Sequence, residues 1–178
     1  MSRRRVALLA LLAVLLVDAG RLTGGARASD ARAPESAFGA PQIATSLARA
    51  NRELAPAETL RIASAIVRYS HKYRIDPMLV TAVLLVESSA RPWARSPKGA
   101  IGLMQIMPHV IVPSALAGNL ATIESNIEGG CYLLADNIRR LGEADGISAY
   151  FWGSDIRGVA YLARVRATRE AMRRQAES

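Results

Sequence analysis

The chain has 178 residues and a formal charge of +8, from 23 Lys+Arg against 15 Asp+Glu. At roughly 100–200 residues per domain, that length accommodates one compact domain and little else. A hydrophobic fraction of 51% excludes a disordered polyelectrolyte, and aromatics at 5% argue against a base-stacking surface, so no nucleic-acid partner is expected.

Residues 1–28 hold Arg3, Arg4, Arg5, Arg21 and Arg27 against Asp18 alone, a net of +4 and half of the whole excess. Arg3–Arg5 is followed by an apolar run from Val6 to Val17 and then by small residues. That order is the layout of a secretory signal peptide over 1–28, with cleavage expected near residue 19 or 28. The run falls short of the roughly 20 apolar residues that span a membrane. Left uncleaved, it would hold the protein at the membrane. No cysteine follows the run to carry a lipid. A periplasmic, exported location is the expectation.

Residues 29–58 are expected to be a flexible leader, with a short helix over 42–54 closed by Pro56. Residues 59–178 form the expected domain. Ile62, Ala65, Ile66 and Tyr69 repeat at the helical period up to about Tyr73. Asp76-Pro77 then restarts a helix over 77–89, with an N-cap carboxylate followed by proline at the first helical position. A loop with Pro92, Pro97, Lys98 and Gly99 leads to an apolar segment, Ile101–Met107, closed by Pro108. Further helices are predicted at 123–141, with Gly142 as C-cap, at 147–152 and at 159–175. No alternating stretch suggests a sheet, so the fold class is all-α. Cys131, the single cysteine, reads as a small buried hydrophobe, and His71 and His109 read as surface or cap residues. Neither a metal nor a cofactor is expected.

Glu87 carries the chemical interest. Val80, Val83, Leu84 and Glu87 fall at i, i+3, i+4 and i+7, which puts a carboxyl group on an apolar helix stripe. Burial disfavours the charged form, so such a group can stay protonated near neutral pH as a general acid. An exposed helix end is the equal alternative on the pattern alone. Downstream, Gly102 permits close backbone approach, Met104 offers an adaptable apolar wall, and Gln105 offers a donor and an acceptor. These residues would suit a groove for a sugar carrying N-acetyl groups.

Glu87-Ser88, Gly99 through Pro108 (GAIGLMQIMP), Asn126-Ile127-Glu128-Gly129-Gly130, Ala149-Tyr150-Phe151-Trp152-Gly153 and Tyr161-Leu162-Ala163-Arg164-Val165 occur in that order. Over about residues 60–166 the chain thereby resembles the lytic transglycosylases with a soluble-type, goose-lysozyme-like catalytic domain. The resemblance implies a lysozyme-like helical domain with a groove-lining catalytic helix. It implies cleavage of the MurNAc–GlcNAc bond of peptidoglycan with formation of 1,6-anhydro-MurNAc ends. It also implies a single acid/base glutamate, which maps onto Glu87, with Ser88, Met104 and Gln105 lining the groove and Tyr150 and Tyr161 near the carboxyl. The expected partners are peptidoglycan glycan strands and cell-envelope machinery, met by a monomer.

A water-using muramidase would need a second carboxylate opposite Glu87. Asp76 and Asp145 read as helix caps, and Glu124 and Glu128 as an i,i+4 pair on a solvated face. The other rival is a weakly catalytic wall-binding module of a secretion or appendage system. Two departures from the family pattern bear on it. Phe151 stands where relatives carry asparagine, and packing of Phe151 and Trp152 against the core is favoured over stacking on a saccharide. Tyr132 and Leu133 stand six and seven positions after Asn126, where many relatives place tyrosine at seven. Arg166, Arg169, Arg173 and Arg174 on the last helix read as a solvated basic face.

Overall fold

The computed structural model describes residues 38–111 and 119–177. The expected signal over 1–28 and the start of the expected leader lie outside the described residues. Among the described residues there are seven helices: α1 (Ala40–Ala50), α2 (Pro56–Tyr73), α3 (Pro77–Ser88), α4 (Pro108–Ile111), α5 (Ile123–Leu141), α6 (Glu143–Trp152) and α7 (Ala160–Ala176). The extended pairing consists of isolated bridges from Ile101 to Arg95 and to Ile106. The all-α expectation holds.

The helix expected at 42–54 is α1, and it is docked. Gln42 reaches back to the Gly39 amide at 3.1 Å, Pro41 stands in the first turn, and Ile43 and Leu47 are fully buried. With Phe38 they join the core that holds Ile62, Ile66 and Leu79. The packed unit therefore begins by Phe38, ahead of residue 59. Full burial of each large side chain stabilises the fold by about 1.5–3 kcal/mol relative to exposure. Pro56 opens α2 rather than closing the preceding helix, because proline fits the first turn, where its missing N–H is not needed.

Helix α3 forms the centre. The Asp76 side chain accepts the Met78 amide at 2.9 Å, and every residue from Leu79 to Leu84 is buried. A helix apolar on all sides must be surrounded, and α3 packs against α1, α2 and α7. It ends in two successive left-handed residues, Ser89 (φ 52°) and Ala90 (φ 58°). Neither is glycine, so the turn is strained and is held from outside: Asn51 Nδ2 donates to the Ala90 carbonyl at 3.0 Å.

The helix at 123–141 forms as predicted, with Thr122 as N-cap. Gly142 ends it and at once starts α6, four residues earlier than the expected 147. Asp145 therefore lies in the first turn and is not a cap. Gly146 explains the close α5–α6 packing, since a Cβ there would stand 2.6 Å from the Ile138 backbone.

Arg169 corrects the reading of a basic solvated face on α7. Its guanidinium binds Asp76 Oδ2 at 2.5 Å and Glu143 Oε1 at 3.1 Å, with the side chain mostly buried. It ties α7 to the starts of α3 and α6, where carboxylates favour helix N-termini. Arg173 and Arg174 pair with Glu170 at the surface.

Candidate active site

Glu87 sits in the last turn of α3, partly exposed. Tyr161, in the first turn of α7 and buried, donates its hydroxyl to Glu87 Oε1 at 2.6 Å. Loss of hydration pushes the Glu87 carboxyl above the ordinary carboxylate range, against the Tyr161 hydrogen bond and the positive charge of Arg164, which favour ionisation. Burial and the neighbouring Glu87 charge drive the Tyr161 phenol far upward, so it remains a donor. Arg164 itself reaches the Val86 carbonyl at 3.2 Å.

The loop facing this helix is built on Asn126. Its side-chain oxygen accepts the Met104 amide at 2.7 Å, and its nitrogen donates to the carbonyls of Ile101 (2.8 Å) and Leu120 (3.0 Å). Buried as it is, the amide has its partners, and the loop is thereby fixed to α5. Gly102 (φ 76°) is required beside it, because a Cβ would lie 2.5 Å from Asn126 Nδ2. Gly130, a single turn further along α5, is needed for the same kind of reason: a Cβ there would come within 2.7 Å of the Met104 side chain.

The proposed groove-lining residues divide. Tyr161 touches Glu87. Tyr150 donates to the Met104 carbonyl at 2.8 Å, and its phenol is pushed up by burial and by the Glu87 charge. It thus braces the loop without bonding the carboxyl. Met104 is fully buried over Gly130, so it is a core side chain rather than an open wall. Ser88 is buried too, its hydroxyl donating to the Leu84 carbonyl at 3.2 Å. The Gln105 nitrogen donates to the carbonyls of Gly102 (2.9 Å) and Ala94 (3.2 Å), closing the loop on itself. Ser88 and Gln105 thus give their side-chain hydrogen bonds to backbone carbonyls, and Met104 packs in the core.

Phe151 departs from the expected core packing. It is 54% exposed, stacked on Tyr161 with ring centroids 4.9 Å apart and planes at 17°. Trp152, 37% exposed, meets its edge at 5.0 Å. The ring that holds Glu87 is thus stacked by exposed Phe151, which Trp152 meets in turn.

No carboxylate among the described residues is one of the groups that act on Glu87. Glu124 forms a two-bonded pair with Arg61 at 2.6 and 2.7 Å, and Glu128 pairs with Lys72 and accepts from Tyr73. Both therefore join α5 to α2 instead of lying free on a solvated face. Cys131 is buried and its thiol is pushed up by desolvation, which leaves it inert, while His71 and His109 are exposed.

Asn126, Gly130 and Arg164 received no role from the sequence. The spacing of Asn126 and Gly130, one helical turn apart on one face of α5, was the available signal.

The family match to known proteins covers nearly the same stretch of chain as the sequence motifs. Residues 64–164 match the family "Transglycosylase SLT domain". A transglycosylase of Enterobacteria phage PRD1 is 38% identical over 99 residues, 55% of this chain and 35% of the phage protein. A membrane-bound lytic murein transglycosylase E of Buchnera aphidicola is 46% identical over 43 residues, 24% of this chain and 20% of that one. The chain thus spans about a third or less of these relatives. An X-ray structure of an inactive mutant of lytic transglycosylase Slt from Pseudomonas aeruginosa aligns over 64% of this chain and 22% of its own, with a TM-score of 0.45 and 22% identity. With the family match extending over more than half of its length, the chain belongs to the transglycosylase SLT domain family.

Proposed function

We propose that the protein is an exported peptidoglycan lytic transglycosylase in which Glu87 acts first as general acid and then as base. The observation that carries this reading is the Glu87–Tyr161 pair: a partly exposed carboxyl with a raised pKa, held by a buried phenol. The protonated carboxyl gives its proton to the glycosidic oxygen, and the bond to C1 of the muramoyl residue breaks as an oxocarbenium-like centre develops. The carboxylate so formed takes the proton of the C6 hydroxyl, and O6 closes on C1. The products are a free 4-hydroxyl and a 1,6-anhydro end, with no water consumed. Ring closure within one sugar has a high effective molarity, which removes the need for an activated water.

Phe151 and Trp152 give this site an exposed apolar plate on which the saccharide face can stack. The muramidase reading is disfavoured by the engagement of Glu124 and Glu128 with α2 cations. A wall-binding module with weak turnover draws support from Phe151, which stands where the family carries an amide. Release of soluble material from purified sacculi separates an enzyme from a binding module. Clearance by the wild type and none by Glu87→Gln supports the enzyme, and equal clearance by both removes Glu87 from the mechanism.

A further inference from the structure

A concave site lies next to the strained turn that follows Glu87. It is an open cavity of about 500 Å³ between the α1–α2 connection and the chain leaving α3, its walls including Glu53, Leu54, Glu58, Arg91, Trp93 and Arg95. That size is typical of a small-ligand site. Its charges are sorted by wall. Glu53 and Glu58 come from the α1–α2 connection and the first turn of α2, and Arg91 and Arg95 from the opposite loop. Among the described residues, none of these four enters an ion pair within 4 Å, although both signs line one cavity. Arg61 lies close enough to Glu58 to sense its charge, but gives its hydrogen bonds to Glu124. Between the walls stands Trp93, 71% exposed, with Leu54 half-buried nearby. An indole left in water beside unmatched charges of both signs marks a surface shaped for a ligand rather than for the core.

We propose that this cavity binds a short zwitterionic peptide, its ammonium group on the Glu53/Glu58 wall, its carboxylate on the Arg91/Arg95 wall and its aliphatic portion against Trp93. Guanidinium groups match carboxylates in a planar, two-bonded geometry, and carboxylates accept from an ammonium. Resting on the transglycosylase reading, the peptide would be a stem peptide of the wall, whose diamino-acid residue carries both charges. Two hydrogen bonds join the lining of the cavity to the turn that follows Glu87. Asn51 holds the Ala90 carbonyl at 3.0 Å, and Arg91 Nε holds the Ser88 carbonyl at 2.9 Å, directly beyond Glu87. A bound peptide would fix the register of its glycan strand relative to the carboxyl.

The test uses the full chain carrying Glu87→Gln, so that binding is read without turnover. The probes are a synthetic stem tetrapeptide with a free diamino-acid side chain, the same peptide with its amines acetylated and carboxylates amidated, and a peptide-free chitooligosaccharide. Titration is followed through the Trp93 indole N–H resonance, assigned with Trp93→Phe. The expected result is a saturable shift with the charged tetrapeptide, weakened about tenfold or more by blocking its charges, by Glu53→Gln/Glu58→Gln, or by Arg95→Gln. Because those residues are at the surface, the variants should retain the wild-type spectrum elsewhere. The proposal is overturned if the tetrapeptide leaves the Trp93 resonance unmoved, if the substitutions leave affinity unchanged, or if the chitooligosaccharide moves it as strongly as the charged tetrapeptide does. Peptide binding to this variant with no anhydro products from the wild type on sacculi would count against the transglycosylase reading alone, and anhydro products from the wild type with no peptide binding against the peptide site alone.

Discussion

The phenol oxygen of Tyr161 stands 2.6 Å from Oε1 of Glu87, across 74 residues of chain. The two meet because α7 packs along α3, with Leu162 and Val165 buried behind the contact. The pair holds two opposing influences in one carboxyl. Burial favours the protonated form needed to donate, while the phenol and Arg164 favour the ionised form needed to accept.

Glu87→Gln should lower turnover by about 10²–10⁴-fold, the usual contribution of a positioned acid/base group, with the helical circular dichroism unchanged. The same variant carries a stability signature. A carboxyl whose folded pKa lies above its unfolded value binds more protons in the native state, so its contribution is fully present below the unfolded pKa and is lost as pH rises through the folded one. The wild type should therefore lose stability relative to Glu87→Gln as pH rises from about 4 toward neutrality. Denaturant titrations of both proteins across that range check the sign.

Tyr161→Phe removes a hydrogen bond to the ionised carboxylate while leaving the ring in place. The Glu87 pKa should rise further, and the alkaline limb of the pH profile of kcat/KM should move to higher pH. Turnover should fall because the carboxyl loses its fixed orientation. Arg164→Gln should shift the limb in the same direction through the lost positive charge. A limb that moves to lower pH in either variant would contradict the assignment of the limb to Glu87.

Phe151→Asn introduces the amide that the family resemblance implies at that position. Loss of the stack on Tyr161 and of the exposed plate should raise KM about 2–10-fold, matching about 0.5–1.5 kcal/mol for an aromatic contact. Phe151→Tyr should keep the wild-type KM. Steady-state kinetics on soluble glycan strands distinguishes the two.

Asn126→Ala should destabilise the fold by about 1–3 kcal/mol, because it strands the buried Met104 amide and takes a donor from the half-buried Leu120 carbonyl, while the Ile101 carbonyl keeps the Ile106 amide. Gly102→Ala should also destabilise, since it adds left-handed strain of about 1–3 kcal/mol to a collision with the Asn126 side chain. Thermal unfolding measures both. The two effects should be less than additive in the double variant, because Asn126→Ala opens the space that the new methyl requires.

The helices were legible wherever one local signal set a boundary. Asp76-Pro77 started α3, and Gly142 ended α5. The start of α6 was hidden because Glu143-Ala144-Asp145-Gly146 has turn-like composition, and only packing on Ile138 shows why the glycine belongs inside a helix. The stripe singled out Glu87 but left a buried acid and an exposed helix end equally open, and only the fold shows the Tyr161 hydroxyl against it. The roles of Ser88, Met104 and Gln105 could not, since each is decided by a carbonyl or a glycine that the fold brings near. Phe151 misled for a related reason. It lies one turn after the buried Ile147, on the core side by spacing, but the helix ends at Trp152 and the ring settles on Tyr161 in the open.

The chemistry assigned to Glu87 is tested most directly by the ends it creates. Sacculi digested by the purified protein in ¹⁸O-labelled water, followed by mass spectrometry of the released muropeptides, should show 1,6-anhydro-muramoyl ends free of the label. Reducing muramoyl ends carrying ¹⁸O would contradict the single-carboxylate account and establish a hydrolase.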